Sequence, residues 1–174
     1  MNKQIAFILA VVVQAAILAA VPARQVYTRL SGRTIRLKTA PVDPYNFLSG
    51  YHVILSYEIS RPLDWSQTQH RFSRGQVVYV VLKPAEDGTW FAKSIHVQRP
   101  QDLNVDALVI KGRYSGWQGI TYGIESYYIP EAVREQIEKD LQENARQAIV
   151  EVKVDSFGTA ALMRIIIEDR VYEY

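Results

Sequence analysis

Residues 76–98 read QVVYVVLKPAEDGTWFAKSIHVQ, and this stretch decides the fold class. Gln76–Lys83 is a nearly continuous run of β-branched and aromatic residues, as expected of a strand covered on both faces. Pro84 to Gly88 then supplies a turn with the Asp-Gly hairpin signature, and Trp90 to Gln98 reads as the returning partner. A hairpin whose first strand is central makes this a sheet protein.

Working outward, the dominant period is two from Val26 onward. Thr34-Ile35-Arg36-Leu37-Lys38 alternates polar and apolar like a half-buried strand, and Pro41 and Pro44 interrupt it. In Tyr51 to Ser60 one face collects Tyr51, Val53, Leu55, Tyr57 and Ile59, which predicts a single strand with a core face. Arg61 to Gly75 is a polar loop containing Pro62. Ala107 to Tyr114 is a further strand, Gly116 and Gly119 mark a turn, and Tyr122 to Tyr128 is expected to pair back. Ala148 to Asp155 and Thr159 to Glu168 form a last hairpin around Ser156-Phe157-Gly158, with Leu162–Ile167 apolar enough to be central.

One helix is expected in this part of the chain, near 130–146. Pro130 suits a first helical position, Glu131 complements the helix dipole, and Val133, Ile137, Leu141 and Ala145 form one narrow stripe. The stripe would lie on the chain's own sheet. The predicted class is mainly β (α+β), a compact antiparallel β-sandwich or barrel-like domain with one amphipathic helix.

The N-terminal region has a different character. Ile5 to Val21 reads IAFILAVVVQAAILAAV, interrupted only by Gln14, and Pro22 is expected to end it. At about 1.5 Å per residue it covers roughly 25 Å, enough for a thin bilayer. The reading is an uncleaved transmembrane helix, with a cleaved signal sequence as the rival. The chain then divides into an anchor or signal (1–23), a basic neck with the first strands (24–42) and a β-rich globular domain (43–174). Basic residues after the apolar run favour a cytoplasmic domain, but Arg36 and Lys38 read as a strand's outer face. An extracytoplasmic domain on a single-pass anchor is the expectation.

Composition narrows the function classes. The chain has no cysteine, which excludes disulfides, thiolate metal sites and a cysteine nucleophile. His52, His70 and His96 are too scattered for a metal cluster. Lys3, Arg24, Arg29, Arg33, Arg36 and Lys38 make residues 1–42 strongly basic, leaving the remainder acidic, which is not the footprint of a nucleic-acid binder.

No phosphate loop, nucleophile elbow or metalloprotease motif occurs, and no cofactor is expected. His52 and Glu58 would stand about 20 Å apart along one strand, too far to act together. Glu125, in YGIESYYIPE, is the one carboxylate with a case for chemistry. Alternation would put it on the face of Gly123 and Tyr127, where aromatic rings could desolvate it as a catalytic acid requires. The plainer reading is a rim glutamate bonded to backbone or tyrosine hydroxyls. Tyr45, Tyr51, Tyr57, Tyr122, Tyr127 and Tyr128 could form a stacking platform for a sugar or peptide, or simply be core edges.

The segments LKTAPVDPYNFLSGYHVILSYEIS, QVVYVVLK, YGIESYYIPE and VEVKVDSFGTAAL together resemble the GDYXXLXY family of membrane-anchored proteins, in order and surroundings. Gly50, Leu55 and Tyr57 match the naming motif, whereas Tyr51 stands where the family has Asp and His52 where it has Tyr. The resemblance implies an N-terminal membrane helix, a mostly β domain and an accessory role beside multi-pass membrane proteins, with no activity attached.

Three functions follow as expectations. The first is a membrane-tethered accessory module, held in the lipid bilayer by residues 5–21 and associated with an integral membrane protein. The second is a small-ligand or glycan-binding domain using Asp43, Tyr45, Glu125, Tyr127 and Tyr128. The third is a hydrolase with Glu125 as acid, its requirement being a second carboxylate at about 5–9.5 Å.

Overall fold

The structure, a computed structural model, describes residues 3–40, 48–49, 52–61, 72–116, 119–128, 136–137, 140 and 148–173. The described residues are mostly β, and every strand pairing is antiparallel.

The hairpin of residues 76–98 forms as its sequence demands. β5 (Val77–Pro84) pairs with β6 (Trp90–His96), and Gly88 takes the turn's positive φ of 78°. β5 is central, with β7 (Leu108–Tyr114) on its other side and β8 (Ile120–Thr121) beyond that, giving the order β6-β5-β7-β8. A register irregularity between Val81 and Leu82 lets three consecutive β5 residues be buried where strict alternation would bury two.

The second large sheet is built from both ends of the chain. β1 (Arg33–Ala40) pairs with β10 (Ile149–Val154), which pairs with β11 (Ala160–Ile167). β11 is central as expected, because β12 (Arg170–Glu173) adds outside it. β12 extends the sheet beyond the last expected strand; it follows a turn in which Glu168, a non-glycine, takes φ 51°. The outer face carries a ladder of charges, with Arg36–Glu151, Glu151–Arg164 and Arg164–Glu173 running across β1, β10, β11 and β12.

Residues 52–60 depart from the single strand expected over 51–60. β3 (His52–Ile54) belongs to a small sheet with β2 (Leu48–Ser49) and β9 (Ser126–Tyr128). β4 (Ser56–Tyr57) joins the edge of the large sheet beside β1, and Glu58–Ser60 is a 3-10 turn. The chain changes sheets at Leu55, yet Leu55, Tyr57 and Ile59 are buried together as the alternation implied. Residues 122–128 likewise do not return onto β7: β8 alone does, and β9 crosses to β3. The chain turns between β8 and β9 at Gly123, which takes φ 80°.

The core lies between the two large sheets. Ile35, Leu37, Val150, Val152 and Ile165 meet Val78, Val80, Leu82 and Ile110, with Tyr57, Tyr122 and Ile124 filling one side. Each fully buried aliphatic contributes about 1.5–3 kcal/mol. Arg33 lies over the Trp90 ring, 4.9 Å from its centroid, and Lys38 meets Asp87 at 2.7 Å, so β1 is tied to the opposite hairpin at both ends.

Within the expected helix near 130–146, Gln136, Ile137 and Asp140 are helical and Ile137 is fully buried in the core. Val133, Leu141 and Ala145 lie outside the described residues, as do Pro41, Pro44 and most of the 61–75 loop.

Pro22 does not end the N-terminal helix, and residues 26–31 are not strand. α1 runs Lys3–Ser31, bent by 43° between Lys3–Leu18 and Pro22–Ser31. Proline removes one helical hydrogen bond and clashes with the preceding turn, which kinks a helix without necessarily stopping it. Among the described residues no single helix is long and apolar enough to cross a membrane; the two arms together pass by length and composition.

Candidate functional site

Most residues proposed for a ligand site can be placed. Asp43, Tyr45, Gly50 and Tyr51 lie outside the described residues. Tyr128 sits on β9, its backbone opposite His52. Glu125 follows the Gly123 turn, so it does not share a strand face with Gly123 and Tyr127 as alternation suggested. Its carboxylate curls back and accepts the backbone N–H of Tyr122 through one oxygen and that of Gly123, at 2.9 Å, through the other. Both oxygens therefore hold a turn.

The tyrosines beside it are core residues. Tyr57, Tyr122 and Tyr127 are 1%, 7% and 7% exposed. The Tyr57 hydroxyl donates to the Ile124 carbonyl at 2.5 Å, and that of Tyr122 donates to the Ile59 carbonyl at 2.7 Å. Burial raises both phenols well above their ordinary pKa, and the Glu125 charge raises them further. The Leu55 N–H donates to the Glu125 carbonyl at 2.7 Å. Residues 52–59 and 122–128 thus meet as one unit, joined by buried tyrosine hydroxyls and by β3–β9 pairing. Those three rings offer no stacking surface.

A second cluster, missed in the sequence, joins α1 to the β domain. Asp155 ends β10 and organises the turn to β11. Its Oδ1 accepts the N–H groups of Phe157 and Thr159 at 2.8 and 2.9 Å, a common role for Asp opening a turn. Its Oδ2 accepts the hydroxyl proton of Thr28, from the second arm of α1, at 2.7 Å. Thr28 is wholly buried and Asp155 nearly so. The Arg24 carbonyl also lies 3.0 Å from the Thr28 hydroxyl, but that hydroxyl has one proton, and the charged, nearer oxygen is the stronger acceptor.

Around this bond the contacts multiply. Arg24 donates to the Thr159 hydroxyl, Lys153 donates to the Arg29 carbonyl at 2.7 Å, and the Tyr27 and Phe157 rings stand 6.3 Å apart. At Gly32 an added Cβ would lie 2.6 Å from the Thr28 carbonyl, so only glycine lets α1 pass into β1 here. Burial pushes the Asp155 carboxyl up, but Thr28, the two N–H groups and Arg24 outweigh it and hold it below the usual range. The same turn also touches the other sheet: the Gly158 carbonyl accepts the Lys111 N–H of β7 at 2.8 Å. Helix and both sheets are fastened at residues 155–159.

The nearest sequence signal was VKVDSFGT, which reads as a hairpin turn. Nothing local shows that its aspartate has a spare oxygen for a threonine 127 positions away.

A third cluster locks the other end of the sheet. Asp140 accepts the Tyr172 hydroxyl at 2.5 Å, Arg170 at 2.8 Å to each oxygen, and Gln136 at 2.9 Å. These groups fix the helical residues to β12. Among the described residues no group of His, Asp or Glu is arranged to hold a metal ion.

The fold and these joints define a β domain with a helix built into its framework. The family profile of GDYXXLXY proteins matches residues 14–165, and the chain belongs to that family. Neither a curated protein nor a solved structure matches the chain.

Proposed function

We propose that this chain is a membrane-anchored accessory protein whose β domain is held in a fixed pose at the bilayer and associates with an integral membrane protein. One observation carries the reading. The first arm of α1 stands clear of the domain with Phe7, Ile8, Leu9, Val12, Ile17 and Leu18 exposed, while the second arm is locked to the domain through Thr28. An apolar helix exposed all round needs an apolar surrounding.

Lys3–Leu18 covers about 24 Å against about 30 Å of hydrocarbon, so the bilayer thins there or part of the second arm enters it. Gln14 shares a face with Ala6 and Ala10 at four-residue spacing. A side-chain amide in lipid is most stable when bonded to another helix, and small residues let that helix approach. Gln14 is the expected contact with the partner.

The test replaces Gln14 with a photo-crosslinking residue in the full chain, followed by purification from gently solubilised membranes. A reproducible adduct with an integral membrane protein supports the reading; monomer alone contradicts it. The glycan-binding alternative finds no aromatic surface at Tyr57, Tyr122 or Tyr127, and a Glu125 acid would have to release two turn hydrogen bonds before acting.

A further inference from the structure

Beside the joint lies an open cleft of about 310 Å³, whose lining includes Arg24, Lys111, Arg113, Gly123 and Thr159. Three lining residues are cationic and none is acidic. They come from two separate parts of the fold: Arg24 from the second arm of α1, and Lys111 and Arg113 from alternate positions of β7. Gly123 carries no side chain at the turn and has open space around it, so that edge of the cleft is clear. Gly112 faces the other way, where an added Cβ would lie 2.4 Å from the buried Ile120, so Lys111 and Arg113 on either side of it face outward.

The neighbouring acids are already committed. Glu125 has both carboxylate oxygens on the Tyr122 and Gly123 N–H groups, and Asp155 is surrounded by its own donors. Arg24 and Arg113 are steadied by the Thr159 hydroxyl and by the Gly75 carbonyl at 2.7 Å. Each guanidinium has further N–H groups to offer, since the group carries five.

The cleft's position is the second observation. Arg24 stands three residues past the end of the apolar run at Val21, about 4.5 Å along a helix axis. A cleft opening beside Arg24 therefore lies at headgroup depth when the first arm is in lipid. We infer that it binds a phosphate-class anion, and that the phosphate is that of an anionic phospholipid headgroup. This rests on the anchor reading for its lipid source, but not for its anion chemistry.

The experiment has two arms, each on the full chain. In the first, the protein is placed in nanodiscs of phosphatidylcholine or of equimolar phosphatidylcholine and phosphatidylglycerol, and lipids retained after release are identified by native mass spectrometry. In the second, the detergent-solubilised chain is titrated with inorganic phosphate and with glycerol phosphate. Lys111→Gln removes one charge and Lys111→Glu reverses it, at a side chain that holds no part of the joint. Lys93→Gln, an exposed charge on β6 at the far edge of the same sheet, is the control.

Selective retention of phosphatidylglycerol is expected, falling about fivefold in Lys111→Gln and about thirtyfold in Lys111→Glu, at about 1 kcal/mol per charge. Lys93→Gln should leave it unchanged. Equal retention in all variants, or equal loss in Lys93→Gln, overturns the site. Lys111-dependent binding of free phosphate without phosphatidylglycerol selectivity overturns the lipid source and keeps the anion class. A chain that fails to enter nanodiscs refutes the anchor reading and the lipid source together, and the phosphate arm then decides whether the anion class stands.

Discussion

The Thr28 hydroxyl and the Asp155 carboxylate meet at 2.7 Å across 127 positions of sequence, and through them the N-terminal helix becomes part of the β domain. Thr28→Val keeps the shape and removes the proton that Asp155 receives. A buried hydrogen bond to a charged group contributes about 1.5–3 kcal/mol, so a loss of that order is expected. Helix detachment should appear as faster proteolysis within residues 22–31, with circular dichroism of the β domain little changed. Proteolysis at the wild-type rate would mean that the bond does not hold the joint.

Both the joint and the Asp140 cluster should weaken in acid. The Asp155 and Asp140 carboxyls are both held below the ordinary range, Asp140 chiefly by the Tyr172 hydroxyl. A carboxyl with a lowered folded pKa contributes stability that is complete above its unfolded pKa, near 3.9, and is lost as pH falls through the folded value. Melting temperature should therefore be flat from neutral pH down to about 5 and decline below about 4. Asp155→Asn and Asp140→Asn should each make the acid decline shallower and lower the neutral plateau.

Gly158→Ala should destabilise more than a typical surface change. Gly158 takes φ 83°, and an added Cβ would lie 3.1 Å from both Lys111 N and Val109 O. The left-handed conformation alone costs alanine roughly 1–2 kcal/mol, and the contact with β7 adds to it. Gly88→Ala has a similar φ, 78°, with open space around it, so it should cost less. Equal melting temperatures for the two variants would contradict the close approach to β7.

Much of this was legible beforehand, and the failures share a cause. The 76–98 hairpin, central β11 and the burial of Leu55, Tyr57 and Ile59 follow from local period and turn chemistry. The switch of sheets at Leu55 does not, because burial alternates identically whether a strand continues or changes partners. Pro22 reads as a stop because proline's cost is local, whereas what holds the helix beyond the bend is distant: Thr28 buried against Asp155. β12 is short and exposed except at Tyr172, so its four residues carry little pattern. The cationic cleft was illegible because Arg24 and Lys111 are 87 positions apart and only the joint brings them together.

The buried tyrosines should behave as structure. Tyr57→Phe and Tyr122→Phe each strand a backbone carbonyl, at a cost of about 1–3 kcal/mol. Their raised phenol pKa values imply stability that is complete below the unfolded value near 10 and is lost as pH rises through the folded one. Tyrosinate absorbance should therefore show a late fraction that appears only with unfolding, reduced in each variant. Titration of every tyrosine near pH 10 would contradict their burial.

The central claim is that the first arm of α1 lies in lipid while the second belongs to the domain. The chain contains no cysteine, so single cysteines can be placed one at a time from Phe7 to Leu30 without other changes. The decisive measurement is their reaction, in native membranes, with a membrane-impermeant maleimide. Positions 7–18 are expected to stay unreactive until detergent is added, and Leu30, 78% exposed, to react at once when the domain side is presented. Free reaction at positions 7–18 in intact membranes would contradict the account.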